Sequence, residues 1–368
     1  MRRRALTLAA AGALLLAGCS APQATPAPTA PQPSAEPDSA ASAALAPVGE
    51  GTDLATGLAA PWSVARLDDG GVLVSERDTA LIREIADDGG LREVGSIGAA
   101  APSGEGGLLG IATLDDGDDR WLYSYATTAD DNRIERRALT GAPGSHALGE
   151  PEEVLTGIAA AGTHNGGRIA FGPDGMLYAT VGDAQSPGRA QDPESLNGKI
   201  LRMQPDGSVP DDNPSDGSLV YSLGHRNPQG LDWDDDGTLW AAEFGQDTWD
   251  EVNRIEPGAN YGWPEVEGAG GVEGFVDPVA AWPTDESSPS GLTVIDGTVF
   301  VAGLGGERLW TVQPDGSTRD FLVGGFGRIR DVLPGPDGTL WLLTNNTDGR
   351  GEPREGDDRL VQFELGEP

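Results

Sequence analysis

Histidine is scarce in this chain, and one of its three histidines stands in an open setting. His164 lies in Thr-His-Asn-Gly-Gly-Arg, residues 163–168, directly before a segment typical of a strand, a turn and a second strand. The neighbouring glycines allow close approach of the backbone and leave the imidazole uncovered. Such an imidazole is either a proton acceptor near neutral pH or a hydrogen-bonded structural group, and both interpretations stay open. His146, in a polar loop, is expected to be exposed and idle, and His225 to be structural.

Three arginines lie in loops that interrupt the strand pattern. Arg328 and Arg330 are two residues apart, so both side chains should face the same side of a strand. Two parallel guanidinium groups suit carboxylates, although the pair could instead form an outward ladder of ion pairs with Asp331. Arg226, in His-Arg-Asn-Pro-Gln, could stabilise developing negative charge or hold two loops together.

The composition excludes several classes of function. The formal net charge is −35, with 59 acidic residues against 24 basic ones. A surface this negative argues against nucleic acid or acidic polymers as partners, and most of the charge is expected in solvated turns. Cys19 is the only cysteine, so cysteine nucleophiles, thiolate metal sites and disulfides are excluded from the rest of the chain.

The N-terminus has the pattern of an export signal. A basic start, Met1–Arg4, precedes an apolar stretch, Ala5–Leu16, that is too short to span a bilayer. The following Leu-Ala-Gly-Cys resembles the lipobox of bacterial lipoproteins, which predicts a signal peptide over 1–19 and lipidation at Cys19. An ordinary secretory signal is the alternative. Residues 20–47, rich in Pro, Ala and Ser, are expected to be a disordered tether between the outer face of the membrane and a folded domain.

A turn-and-strand unit recurs through residues 48–368 and predicts the fold. Each unit is an Asp-Gly turn followed by alternating apolar and small residues, the period of a strand. Six units are present: 67–78, 114–126, 172–183, 234–245, 295–306 and 335–346. Their spacing is typical of propeller blades, so we expect one all-β domain, a six-bladed β-propeller with four-stranded blades. Seven blades is the competing count, and strands at Thr52–Leu58 and Arg359–Leu365 are expected to close the ring.

Function in a propeller is expected in the loops before the innermost strands, which meet at one mouth of the central channel. Four such loops carry polar, rigid or charged residues: Gly104–Ala112, Thr163–Arg168, Leu223–Trp233 and Gly325–Val332.

From about residue 58 to 365 the chain resembles the soluble quinoprotein glucose dehydrogenase family, which includes aldose sugar and sorbosone dehydrogenases. The most specific signal is Gly-His-Arg-Asn-Pro-Gln-Gly at 224–230, followed by Asp-Glu-Val-Asn at 250–253 and Asn-Tyr-Gly-Trp-Pro at 260–264. The resemblance implies oxidation of an aldose by hydride transfer from C1 to pyrroloquinoline quinone (PQQ), with calcium, outside the cytoplasm. The physiological electron acceptor is not identified by the sequence.

The resemblance also implies roles for individual residues. His164 corresponds to the general base, Arg226 to a catalytic arginine over the cofactor, and Arg328 with Arg330 to a pair that binds cofactor carboxylates. Further cofactor contacts are implied for Glu105, Asn227 and Gln229. One calcium ion would be held by the carbonyls of Gly245 and Gln246, and a second by Glu251 and the carbonyl of Tyr261. Read without the resemblance, the acidic residues at 247–251 could instead be a solvated turn.

Two positions depart from the family pattern. Gly305 replaces a lysine that often contacts the cofactor, and the only lysine here is Lys199, in another repeat. Glu105 replaces a glutamine, and a carboxylate beside an anionic cofactor is repulsive unless it is paired. These departures support an alternative, a non-catalytic propeller that binds carbohydrate or a protein. A calcium-dependent lactonase ranks last, because the mouth loops carry arginine and histidine rather than carboxylates around a central ion.

Overall fold

The six Asp-Gly segments each form the hairpin between the first two strands of an antiparallel sheet. The computed structural model describes residues 44–367, and six such sheets form the blades of an all-β propeller. The glycine that closes each of the six turns has a φ between 65° and 92°, which residues with a Cβ rarely adopt. The predicted six blades of four strands are confirmed, and a count of seven is excluded within 44–367.

The strands are given blade by blade, from the channel outward. Blade 1 has Pro61–Arg66, Val72–Glu76, Leu81–Ile85 and Leu91–Ser96. Blade 2 has Leu108–Asp116, Asp119–Thr127, Asn132–Thr140 and Glu152–Ile158, with a short strand Ala147–Leu148. Blade 3 has Ile169–Phe171, Leu177–Val181, Lys199–Met203 and Val220–Leu223. Blade 4 has Pro228–Trp233, Leu239–Glu243, Trp249–Ile255 and Ala280–Pro283. Blade 5 has Pro289–Ile295, Thr298–Gly303, Arg308–Val312 and Thr318–Phe321. Blade 6 has Ile329–Pro334, Leu340–Thr344, Leu360–Gly366 and Ala46–Ala55.

Helix is confined to two short 3₁₀ turns in the described residues, Pro187–Ala190 and Pro336–Gly338. Accordingly, residues 44–367 include no helix with the length and hydropathy needed to cross a membrane. The expected signal peptide with Cys19, and residues 20–43 of the expected tether, lie outside the described residues.

The core consists of six apolar clusters, one between each pair of neighbouring blades. Successive side chains of a strand point to opposite faces, so one strand supplies two clusters. In blade 6, for example, Leu342 packs toward blade 5 and Leu343 toward blade 1. This alternation is the period recognised in the repeats, and burying both faces of every blade fixes the ring.

The ring is closed by the two ends of the domain, as expected, but with different strand bounds. The N-terminal strand is Ala46–Ala55 rather than Thr52–Leu58, and it begins two residues before the predicted domain start at Val48. It is the outermost strand of blade 6, where Thr52 lies opposite Gln362. An outer strand depends on backbone pairing more than on a buried face. Its sequence is therefore polar and rich in glycine, and the first half of the strand was not recognised as a strand.

His146 is not exposed and idle, as the sequence suggested, but is 1% exposed between blades 1 and 2. Its Nδ1 lies 2.7 Å from Glu84 Oε1, and its Nε2 lies 3.2 Å from Asp69 Oδ2. The loop carrying His146 folds onto Gly71, where a Cβ would lie 2.8 Å from the imidazole Cε1. The polarity of the loop therefore did not predict the burial of His146, because the polar partners of the imidazole are buried beside it.

We expect Glu84→Gln to lower the free energy of unfolding by about 3 kcal/mol at pH 7, because it breaks a buried charged network. Burial alone raises the pKa of Glu84, but hydrogen bonds from the Gly144 N–H, Arg92 and His146 outweigh it, and the pKa lies below its usual 4.5. The stabilisation is thus present above pH 4.5 and is lost as the pH falls through the lower pKa of the folded state. Urea denaturation should show that the difference in the free energy of unfolding between wild type and variant becomes smaller below pH 4.5. Glu153→Gln, at a largely exposed carboxylate of blade 2, is the control, and equal stabilities of both variants at pH 7 would contradict the prediction.

Candidate active site

Three of the four mouth loops converge on a pocket of about 200 Å³ that takes its lining from five blades. Its walls are Trp62, Arg77, Glu105, Gln229, Phe244, Ser288, Leu304, Arg328, Arg330 and Arg350. Each of the four predicted loops does precede an innermost strand, as expected. The structure therefore brings Glu105, Gln229, Arg328 and Arg330 together from sequence positions more than 200 residues apart.

A second cavity of about 320 Å³ opens along the innermost strands of all six blades. Arg168 closes the channel here: its Nη1 donates to Asp331 Oδ2 at 2.8 Å, and its guanidinium lies 4.3 Å from the centre of the Trp62 ring. Asp331 is thus paired inward with Arg168, not outward with Arg328 or Arg330 as the alternative for that pair supposed.

Arg328 and Arg330 both face the pocket, which confirms that they share one side of the strand. Arg330 is fully bonded: its Nη1 donates to Gln229 Oε1 at 2.9 Å, and the Asn345 amide oxygen, when turned toward it, accepts two bonds of 2.8 Å. Burial lowers the pKa of Arg330 to about 9. Arg328 donates through Nη2 to Asp348 at 3.1 Å, while its buried Nε has no partner within 44–367.

The pocket is strongly basic in an acidic protein. Four arginines line it against one carboxylate, Glu105, although the chain as a whole carries a formal charge of −35. Asp348, behind the wall, has a pKa below its usual value because the nearby arginines outweigh the effect of burial. Arg77, Arg328 and Arg350 each pair with a carboxylate, those of Asp78, Asp348 and Glu105, so the four guanidinium groups keep one net positive charge. A net positive pocket favours an anion, and flat bidentate donors favour carboxylates. The arrangement therefore suits an anionic ligand with carboxylate groups.

His164 contacts the wall of this pocket through its backbone N–H, which donates to Glu105 Oε2 at 3.0 Å, and its ring is held from one side. Its Nδ1 is 2.8 Å from Asp183 Oδ1, and its side chain is 17% exposed. Asp183 is fully buried and also accepts hydrogen bonds from the Trp263 indole at 2.9 Å and the Gln185 N–H at 2.8 Å. An ionised carboxylate only accepts hydrogen bonds, so the proton of a neutral His164 is on Nδ1 and its Nε2 is the basic nitrogen. No residue of the described range bonds Nε2, so the ring is prepared to accept a proton.

The glycines after His164 allow the close approach of the backbone that the sequence predicted. A Cβ on Gly166 would lie 2.5 Å from the Thr180 carbonyl oxygen, so the loop can lie against the strand that leads to Asp183 only without a side chain there. His164 itself has a φ of 60°, an uncommon conformation for a residue with a Cβ.

Arg226 lies on the opposite side of Phe244, which borders the basic pocket and a smaller cavity. Its guanidinium donates to Gln246 Oε1 through Nε at 3.1 Å and Nη2 at 2.9 Å. Burial lowers the pKa of Arg226. Its carbonyl oxygen accepts the Asp183 N–H at 2.8 Å, so Arg226 and the partner of His164 are joined directly.

The two neighbours of Arg226, His225 and Asn227, are buried and make contacts within the protein. Asn227 is buried beneath the His164 loop, where its Oδ1 accepts the Gly166 N–H at 3.0 Å, and it does not line the pocket. His225 is buried against Ser222 Oγ at 2.8 Å and stacks on the ring of Tyr261, which fits its expected structural role.

The cavity beyond Phe244 unites three of the four predicted metal-ligating residues, Gly245, Glu251 and Tyr261. Gln246 joins them through Arg226. Glu243 also lines this cavity, and burial together with its charge raises the pKa of Glu251 to about 8. Within 44–367 no cluster of three or more His, Cys, Asp or Glu side chains is placed to hold a metal, so an ion here would need backbone or amide oxygens in addition to carboxylates.

Two features of this cavity indicate an oxygen-donor site. The buried Oδ1 of Asn253, next to Glu243 and Glu251, has no hydrogen-bond partner among the described residues. Glu267 Oε1 accepts the N–H groups of residues 246–249 at 2.6–3.3 Å, which fixes the turn that carries Gly245 and Gln246. Neither Asn253 nor Glu267 was identified from the sequence, because their role depends on contacts across the blade.

The two departures from the family pattern have structural consequences. A Cβ on Gly305 would lie 2.5 Å from Ser288 Oγ, and no lysine is near: the buried Lys199 donates to the carbonyls of Arg189, Ala190 and Asn197. Arg308 pairs with Asp320 at 3.1 Å and does not line the pocket. Instead, Arg77 and Arg350 add positive charge to the pocket wall, and Arg350 pairs with Glu105 at 2.9 Å.

Sequence reasoning missed Trp62, Arg77, Asp183 and Arg350. Arg77 and Asp183 occupy equivalent places, directly after the second strand of a blade, and Phe244 and Gly245 occupy the same place in blade 4. The mouth is therefore formed both by the loops before the first strands and by the residues that follow the second strands. Aligning the ends of the six repeats, rather than only their turns, would have found this signal.

Comparison with known proteins gives a consistent result. A family model described as glucose/sorbosone dehydrogenase matches residues 58–352. The PQQ-bound aldose sugar dehydrogenase of Streptomyces coelicolor superposes with a TM-score of 0.82 and 51% identity, over 87% of this chain and all of that one. The aldose sugar dehydrogenase YliI of Escherichia coli K12 is 31% identical over 331 residues, 78% of this chain and 88% of that protein. Quinoprotein glucose dehydrogenase B of Acinetobacter calcoaceticus is 35% identical over 196 residues, which cover 45% of this chain and 41% of that enzyme. The chain therefore belongs to the glucose/sorbosone dehydrogenase family.

Proposed function

We propose that this protein is a PQQ-dependent sugar dehydrogenase that oxidises aldoses at C1, with His164 as the general base. The observation that carries the proposal is the basic pocket beside an oriented imidazole. Four arginines present guanidinium groups that match the carboxylates of a tricarboxylated quinone, and the unpartnered Nε of Arg328 is a donor left for a ligand. The likeness to the PQQ-bound Streptomyces coelicolor enzyme supports the same assignment.

The chemistry divides between the cofactor and the side chains. When bound, PQQ supplies a two-electron acceptor for the hydride from the sugar C1. His164 Nε2 takes the proton of the C1 hydroxyl, and Asp183 holds the ring and stabilises the imidazolium that forms. Arg226, with its guanidinium fixed by Gln246 and the Phe244 carbonyl, lies across Phe244 from the basic pocket and would add positive charge at longer range as negative charge develops there.

Calcium is part of this proposal, because the cavity beyond Phe244 fits a hard cation. Two buried carboxylates that line it, Glu243 and Glu251, provide oxygen donors, and the nearby Asn253 Oδ1 has no hydrogen-bond partner among the described residues. The residues that would hold the ions are Gly245 and Gln246 through their carbonyls, and Glu251 with the Tyr261 carbonyl.

The non-catalytic alternative loses part of its basis. It depended on Glu105 repelling an anionic cofactor and on the missing lysine. Glu105 is paired with Arg350, and Arg77 places another cation in the pocket wall.

The experiment is a reconstitution. Protein from Ser20 onward is mixed with calcium and PQQ, and dye reduction is followed with a panel of aldoses. We expect sugar-dependent reduction and PQQ binding by calorimetry. A protein that binds no PQQ in the presence of calcium would overturn the proposed function, and binding without turnover of any aldose would favour the carbohydrate- or protein-binding alternative.

Asp183→Asn should lower kcat by about 10- to 100-fold, because the amide cannot fix the tautomer in which Nε2 is basic. PQQ affinity should change little, since Asp183 contacts His164 and not the pocket wall. Steady-state kinetics with a preferred aldose measures the effect. Asp174→Asn, in the Asp-Gly turn of the same blade, is the control, and an equal loss in both variants would contradict the role of Asp183.

We also propose that the protein is lipid-anchored at Cys19 on the outer face of the cell membrane and passes electrons to an acceptor there. The signal pattern of residues 1–19 supports this placement. Radiolabelled palmitate should be incorporated into the wild type and not into Cys19→Ser. Full labelling of the variant would show that Cys19 is not the modified residue.

A further inference from the structure

An ion pair spans the rim of the basic pocket. Glu105 precedes the innermost strand of blade 2, and Arg350 follows the second strand of blade 6, so their contact crosses blade 1. Arg350 Nη1 donates to Glu105 Oε1 at 2.9 Å, between residues 245 positions apart in the chain. Both side chains line the pocket.

The second oxygen of Glu105 contacts the His164 backbone. Oε2 accepts the His164 N–H at 3.0 Å, at the residue whose φ is 60°. A left-handed conformation is unfavourable for a residue with a Cβ, so it persists only where neighbours hold it. The Glu105 N–H in turn donates to the Gly162 carbonyl at 2.9 Å, which ties the two loops together. Asp183 thus fixes the imidazole ring, and Glu105 fixes the backbone that carries it.

The ion pair also controls charge next to the base. The charged groups around His164 are Asp183 at the ring, Glu105 at the backbone, Arg226 behind Asp183, and Arg350 through Glu105. An unpaired carboxylate at position 105 would stabilise the imidazolium and raise the pKa of His164, and it would repel an anionic cofactor. Arg350 is itself held by its N–H to Asp348 Oδ1 at 2.9 Å, and Asp348 binds Arg328.

We infer that Glu105 is a positioning residue for His164, and that Arg350 cancels the charge of the Glu105 carboxylate beside the base. This inference rests on the proposed role of His164 in sugar oxidation. The pair connects the base with the arginines of the cofactor pocket, so a carboxylate that departs from the family pattern has a partner and a function here.

The test begins with the apoprotein, so it does not depend on turnover. The three imidazoles are followed by NMR across a pH titration in wild type, Arg350→Gln, Glu105→Gln and the double variant. Arg350→Gln should raise the apparent pKa of His164 by about 0.5 or more, and the double variant should return it toward the wild-type value. Arg136→Gln, which breaks a partly exposed ion pair with Glu152 in blade 2, should leave His164 unchanged. Identical titrations in Arg350→Gln and Arg136→Gln would overturn the charge-cancelling role.

Kinetics then test the positioning role. Glu105→Ala should lower kcat by about 10- to 100-fold, because misplacing a base by about 1 Å has effects of that size. Glu105→Gln keeps an acceptor for the His164 N–H and should recover most of the loss. Equal losses in both variants would overturn the positioning role. A wild-type protein that titrates as expected but never reduces the dye would instead overturn the proposed function.

Discussion

Replacing His164 with glutamine is expected to lower kcat for aldose oxidation by about 10²- to 10⁴-fold, the usual contribution of a general base. Glutamine can still donate to Asp183, but it has no group that takes a proton. PQQ binding should persist, because His164 is not among the residues that line the basic pocket. Stopped-flow or steady-state dye reduction measures the rate, and calorimetry measures the binding.

The matched control removes another imidazole. His146→Gln acts at the interface of blades 1 and 2, where both ring nitrogens face carboxylates, and it should cost stability rather than activity per folded molecule. The pH dependence of kcat/KM also distinguishes the two variants. Its fall at acid pH should disappear in His164→Gln and persist in His146→Gln. A His164→Gln variant that retains more than about a tenth of wild-type kcat would show that another group takes the proton.

Most of the fold could be predicted because its signals are local. An Asp-Gly turn with alternating residues after it is complete within about a dozen residues, and six of them gave the six blades. The closing strand was placed less well, because Ala46–Ala55 is held by pairing with Leu360–Gly366 at the other end of the chain. No pattern within residues 46–51 reports that partner.

The site could be predicted only in part, for a related reason. Arg328 and Arg330 were found because a spacing of two within one strand puts both on one face. Arg77 and Arg350 reach the same pocket only after the ring closes, and Arg77 Nη2 contacts the Asp348 carbonyl across 271 positions of sequence. His146 was predicted to be exposed because its loop is polar, but the loop packs on buried carboxylates of the neighbouring blade, which no local pattern indicates.

Arg328→Met is expected to weaken PQQ binding by at least about 30-fold, the lower end of the effect of removing one partner from a buried charge pair. Arg328 is a better choice than Arg330, because the donors of Arg330 already bond Gln229, Ser290 and Asn345. The Nε of Arg328 is buried without a partner in the described part of the chain, which is costly unless a ligand accepts it. Calorimetric titration of the apoprotein with PQQ in the presence of calcium measures the change.

The conservative variant and a surface control make the prediction specific. Arg328→Lys keeps the charge but loses the planar pair of donors, so its affinity should fall between those of wild type and Arg328→Met. Arg308→Met removes an arginine that pairs with Asp320 on the outside of blade 5 and should bind PQQ like the wild type. Thermal unfolding of apo Arg328→Met should change little, because the lost bond to Asp348 is offset by the removal of an unsatisfied buried donor, and Arg330 remains 3.8 Å from Asp348. If Arg328→Met is folded and binds PQQ with wild-type affinity, the cofactor lies outside the basic pocket. If its affinity for PQQ falls while its thermal stability is unchanged, the buried guanidinium of Arg328 serves ligand binding rather than the stability of the fold.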